Sequence, residues 1–155
     1  MWTVEVDLPP MARATAEEWL AFLLSLRGKL GTFFWGPSGA EKVPRGTISG
    51  TPLVNGGSQT GKTLASDGWS GTVKKGDWFQ VNHTDTVRLY KSMSDISAGA
   101  ALDIFPRLRT PAPADNAAMT FNSPVGLFRM AENGQGWDLN TAQHYGLKFK
   151  AMEAI

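Results

Sequence analysis

Apolar and polar residues alternate at the start of the chain. Trp2, Val4, Val6 and Leu8 are separated by Thr3, Glu5 and Asp7, the two-residue period of a half-buried strand. Pro9 and Pro10 are expected to end it, since proline brings no N–H to a ladder. The period then lengthens. Thr15-Ala-Glu-Glu18 has the form of a capping box, in which the Thr15 hydroxyl and the Glu18 carboxylate satisfy N–H groups at a helix start. Trp19, Leu20, Phe22, Leu23, Leu24 and Leu26 cover more than half of the following surface. This predicts a deeply packed helix over 16–27, stopped by a left-handed Gly28.

Further along, the pattern is that of short strands. Leu30 to Trp35 reads as a buried strand, ended by Gly36-Pro37-Ser38-Gly39. From Arg45 to about Ser70 the sequence is polar and broken by glycine. Asp77–Val81 and Thr86–Tyr90 predict a hairpin across Asn82 to Asp85. Ala100–Phe105, closed by Pro106, is a further strand, as are Ala118–Phe121, Val125–Ala131 and Leu147–Ala151. The expected fold is mainly β, with about nine or ten short strands, one α-helix and no internal repeat.

Composition narrows the function. A hydrophobic fraction of 42% against 19% charged supports a packed core, and 155 residues suit one domain or a domain with an insert. A net charge of +1 offers no basic surplus to neutralise a phosphate backbone. The absence of cysteine removes disulfides, zinc–thiolate sites and a cysteine nucleophile, and fits a reducing cytoplasm. The longest apolar run, Trp19 to Leu24, falls far short of the roughly 20 residues that cross a bilayer, and no signal peptide or membrane partner is expected.

One stretch proposes a different chemistry. Gly56 to Thr63 spells G-x-x-x-x-G-K-T, the phosphate-binding loop of ATPases and GTPases. Such a loop needs a helix that begins at its Lys-Thr, so that free N–H groups and the dipole hold the phosphates. Here Leu64-Ala-Ser-Asp-Gly-Trp-Ser-Gly71 comes next, with two glycines and an Asp-Gly turn where the first helical turns belong. A glycine-rich connection between strands is therefore expected, with no nucleotide and no other cofactor.

The remaining chemistry is sparse. His83 and His144 lie far apart and are expected as surface or capping residues. Glu17 and Glu18 belong to the helix start, while Asp95, Asp103 and Asp115 sit where aspartate forms turns. No catalytic or metal-ligating set emerges, and no enzymatic activity is expected. Trp69 and Trp78, in Gly/Asp-rich surroundings, suit a sugar platform, the packing of a small barrel, or a subunit contact. Arg107 and Arg109 alternate at a strand end and suit an intersubunit salt bridge or a solvated edge.

Several stretches together resemble a known family. Val6-Asp-Leu-Pro-Pro-Met11 with Ala16 to Gly28 is similar to the helix region of tail-tip proteins from long, non-contractile-tailed bacteriophages. So are Pro44-Arg-Gly-Thr47, Thr51 to Gly56, Gln59-Thr-Gly61, Leu64 to Trp69, Lys75-Gly-Asp77, Leu89-Tyr-Lys91, Leu102 to Arg109, Pro113 to Ala117 and Pro124 to Met130. The series runs in order over nearly the whole chain and resembles a distal-tail or minor tail structural protein.

The resemblance implies a belt-like β-sheet domain over 1–44 and 131–155, with an inserted small β-barrel-like domain over 45–130. It implies a ring, often hexameric in such proteins, that joins the tail tube protein to the tail-tip hub or baseplate. The tape measure protein and then DNA in transit would pass its lumen, in a virion assembled in the bacterial host cytoplasm. It also implies further belt strands ahead of the one at Trp2. The alternative is a carbohydrate-binding β module for host-surface recognition, using Trp69 and Trp78.

Overall fold

The computed structural model describes residues 1–134, 136–139 and 144–155. The chain begins with strand β1 (Thr3–Met11), helix α1 (Arg13–Ser25), strand β2 (Thr32–Trp35) and a short 3-10 turn at Gly39–Lys42. Strands β3 (Ile48–Val54), β4 (Thr63–Leu64), β5 (Ser66–Val73), β6 (Trp78–Asn82) and β7 (Val87–Ser92) follow. Then come β8 (Ile96–Ser97), β9 (Leu102–Phe105), β10 (Met119–Thr120), β11 (Gly126–Met130), β12 (Trp137–Leu139) and β13 (Tyr145–Glu153). Among the described residues, with 44% strand and one α-helix, the protein is mainly β; the sheets are antiparallel and none closes into a barrel.

Two compact units divide the chain: Met1–Phe33 with Phe128–Ile155, and Phe34–Leu127. The first holds a sheet of order β1-β13-β11-β2, with β12 also paired to β13. Its outer face reads directly from the charge pattern. Glu5 lies opposite Lys150 and Asp7 opposite Lys148 in the β1–β13 register. Their side chains form ion pairs at 3.8 and 2.9 Å, the cross-strand arrangement that favours this register over a one-residue slip. On the inner face Leu147 and Phe149 are buried beneath Ala16, Leu20 and Leu23 of α1. Edge-on aromatic contacts run from Trp19 to Phe22, Phe33 and Phe149 at 6.2, 5.8 and 6.4 Å.

Several expectations about this unit are corrected. The prolines do not end β1: pairing passes from Leu8–Leu147 to Met11–Tyr145, so Pro9 and Pro10 occupy a bulge where the ladder needs no N–H from them. The helix begins at Arg13 with Ala12 as its N-cap and no side-chain cap, which leaves Thr15 inside the first turn. Ala14 favours helix, and Arg13 pairs with Glu17 at 3.3 Å one turn on, so the helix extends back past the capping box. Nor is α1 packed all round: Leu24 is 58% exposed, because only the Ala16–Leu20–Leu23 stripe faces the sheet.

The helix stop is as expected in kind, although Arg27 (φ 50°) shares the left-handed turn with Gly28 (φ 65°). Gly28 is further required by crowding. A Cβ there would lie 2.8 Å from the Asn133 backbone, beside the Asn133 Oδ1 that accepts the Lys29 N–H. The strand expected as buried, β2, alternates instead and leaves Phe34 63% exposed, as an outermost strand does.

The second unit contains a sheet of order β10-β6-β7-β9-β4 and a smaller one of order β3-β5-β8. An isolated bridge between Leu53 and Ala118 links them, beside hydrogen bonds of Val54 with Asn116 and Ala117. The predicted hairpin is β6–β7, with the His83 N–H donating to the Thr86 carbonyl across its turn. Phe79 stacks on Tyr90 and on Phe121, with centroids at 5.8 and 5.1 Å, and Val54, Leu64, Leu102 and Ile104 complete the core. Gly71 lets β3 and β5 close together: a Cβ there would fall 1.8 Å from the Thr47 carbonyl oxygen.

Candidate functional site

The G-x-x-x-x-G-K-T segment is a connection between β3 and β4. The chain beyond Lys62 is extended, in β4 and then β5, so the helix that a phosphate loop requires does not start there. Gln59 closes the loop on itself. Its Nε2 donates to the carbonyls of Asn55, Gly56 and Ala65 at 2.9, 2.9 and 3.2 Å, and its Oε1 accepts the Ala65 N–H at 2.7 Å. The Gly56 N–H donates to Asp115 Oδ1 at 2.7 Å. A carboxylate already occupies that donor and repels a phosphate.

Trp69 is no platform. It is 8% exposed, its Nε1 donates to Ser66 Oγ at 3.0 Å, and its ring packs against Phe121. β5 buries Ser66, Trp69 and Val73, and its inward Trp69 corrects the pairing of Trp69 with Trp78 as a joint sugar surface. Trp78 is half-buried, with the Lys91 ammonium 4.4 Å above its ring. Arg107 is exposed. Arg109 is half-buried, and its backbone N–H donates to Tyr90 Oη at 3.2 Å.

His83, expected as a surface or capping residue, is 8% exposed. Its Nδ1 lies 2.7 Å from the Pro111 carbonyl and its Nε2 2.9 Å from the Tyr90 hydroxyl. The polar loop around it gave no sign of this, because its partners come from β7 and from a segment 28 residues further along. His144 is exposed.

The turn before β6 is built around Asp77, 3% exposed. Its carboxylate accepts the N–H groups of Arg45, Gly46 and Lys74 at 2.9, 3.0 and 2.8 Å, with the Arg45 Nε at 3.7 Å. Arg45 also donates from Nη2 to the Lys75 carbonyl. Beside the turn, the Lys75 N–H and the Lys74 ammonium hold the Asp95 carboxyl below its ordinary range. At the hairpin end, burial pushes the Asp85 carboxyl up, but Arg88 at 2.5 Å and the N–H groups of Asp85 and Thr86 outweigh it and hold it low.

This turn, Arg45 and Lys91 enclose a cleft of about 330 Å³, whose other walls are Ala40, Glu41, Val43 and Trp78. Sequence reading missed it because its walls come from the 3-10 turn, the β3 entry, and both strands of the hairpin. Of these only Trp78 had stood out. Among the described residues no three His, Asp or Glu side chains converge as a metal site, and no helix is long and apolar enough to cross a membrane. No protein-family model and no curated protein matches this chain.

Proposed function

We propose that the chain is a structural, non-enzymatic component of a bacteriophage tail tip. It forms a ring between the tail tube and the tail-tip hub, and acts in the virion. The observation that carries this reading is the interrupted organisation. A sheet unit bearing the α-helix is assembled from both ends of the chain, and an all-β unit lies between them in sequence, as the resemblance implies for such proteins.

The work of such a protein is geometric: heterologous contacts that close around an axis. The helix-bearing unit has surface suited to this, with Leu24 and Leu30 58% and 83% exposed and β1 and β2 as the outermost strands of its sheet. Negative-stain images of the purified full chain, with mass photometry over a concentration series, test the reading. A closed annulus of uniform subunit number is the expected outcome. A monomer at every concentration, with no annulus in the images, overturns it.

A further inference from the structure

We infer that the cleft beside Trp78 binds a saccharide carrying an anionic group, a carboxylate or a phosphate. This site does not rest on the tail-tip reading. Its floor is Gly76, at φ +93°. A Cβ placed there would lie 3.5 Å from Arg45 Nη2 and 3.8 Å from Lys91 Cε, so two cationic side chains flank one point of the floor. The space between them takes a negatively charged oxygen cluster.

The nearby carboxylates do not cancel this charge. Asp77, although it lines the cleft, is committed to three backbone N–H groups, and Asp95 to Lys74 and the Lys75 N–H. Lys91 has no ion pair among the described residues; Arg45 meets the Asp77 carboxylate with Nε at 3.7 Å and gives one Nη2 proton to the Lys75 carbonyl, which leaves its other guanidinium protons for a ligand. Glu41, which also lines the cleft, remains. A carboxylate there repels a bare anion but accepts the hydroxyl protons of a polyol.

Trp78 supplies the third element. A half-buried indole lines the cleft with the Lys91 ammonium 4.4 Å over its ring, so a sugar ring stacks on that face when its anionic group draws the ammonium aside. The volume, about 330 Å³, lies at the lower end of small-ligand clefts and suits one sugar residue rather than a long chain. Indole, cations and hydroxyl acceptor together match a charged sugar better than either a neutral sugar or an inorganic anion.

The test is a titration of the ¹⁵N-labelled full chain with glucuronic acid, glucose 6-phosphate, glucose and inorganic phosphate. The Trp78 indole N–H signal, assigned with W78F, is the readout. Glucuronic acid or glucose 6-phosphate should shift it saturably, the two arms deciding between carboxylate and phosphate. Glucose and inorganic phosphate should each bind about tenfold more weakly or worse, as loss of one charge-assisted contact implies. Raising the ionic strength should weaken binding.

K91Q and R45Q should each weaken binding about tenfold, K91Q carrying the comparison if R45Q disturbs the turn. The inference is overturned if neither charged sugar shifts the signal. It is equally overturned if glucose or phosphate alone does as well, or if K91Q binds like the unaltered chain.

Discussion

Tyr90 donates its phenolic proton to Nε2 of His83 across 2.9 Å inside the second unit. The direction follows from chemistry. The Pro111 carbonyl only accepts, so Nδ1 carries a proton, and in the neutral ring Nε2 must then accept. The Tyr90 oxygen in turn accepts the Arg109 N–H at 3.2 Å. Two side chains from one hairpin thus hold the backbone of the Arg109–Pro111 stretch at two points. Y90F removes only the hydroxyl and keeps the ring stack on Phe79. It should cost about 1–3 kcal/mol, the loss expected when buried polar partners are stranded. Urea unfolding should show a lower midpoint at unchanged slope, and amide exchange at Arg109 should speed up.

Asp77 plays a comparable part on the other side of the hairpin. Its carboxylate is buried and satisfies three N–H groups from two chain segments. D77A should therefore destabilise the protein by about 3 kcal/mol, because buried donors are left without an acceptor. D95A is the control. Asp95 also accepts a backbone N–H and pairs with a lysine, but in open solvent, where water replaces both. Its thermal midpoint should stay close to that of the unaltered chain.

Asp77 and Gln59 show where sequence reading stops. The β6–β7 hairpin was legible because alternation and a polar turn are local signals, and the break after Lys62 was legible because two glycines and an Asp-Gly turn oppose a helix. The elements between 45 and 70 were not. The β3–β5 ladder depends on glycines at close approach, Gly71 over Thr47 among them, so its residues carry little hydrophobic alternation. The burial of Trp69 and of His83 escapes a local reading for a related reason. Gly/Asp-rich or polar neighbours suggest exposure, while burial is decided by contacts outside the immediate stretch, here Phe121 on Trp69, and Tyr90 and the Pro111 carbonyl on His83. The cleft at Gly76 is of the same kind, since no two of its cationic and aromatic walls share one local pattern.

Acid should expose the Asp85–Arg88 pair. Arg88 is buried, its side chain 4% exposed, and Asp85 is its partner at 2.5 Å. The carboxyl titrates below the ordinary aspartate value of 3.8 in the folded protein. The unfolded chain therefore takes up the proton first. The pair's stabilisation is complete above pH 3.8 and is lost as pH falls through the lower folded value. D85N should be less stable than the unaltered chain at neutral pH, and the gap should close below pH 3.8. Urea midpoints of both proteins from pH 7 downward check the sign, and a gap that widens on acidification would contradict it.

The helix start offers the cleanest separation of sequence motif from structure. If Thr15 were the cap, T15A would cost about 1 kcal/mol, the usual loss of an N-cap hydroxyl. In the structure Thr15 lies in the first turn and Ala12 occupies the cap with extended backbone (φ −68°, ψ 156°), while the Ala16 N–H donates to the Ala12 carbonyl at 3.1 Å. T15A should then change stability by less than about 0.5 kcal/mol, or raise it slightly, since alanine is the better helix former. A12D should instead gain about 1 kcal/mol. Its carboxylate would accept an N–H of the first turn and meet the positive end of the helix dipole, where no acidic residue now stands. Thermal melts of the two variants decide the matter, because the two cap positions predict opposite rankings.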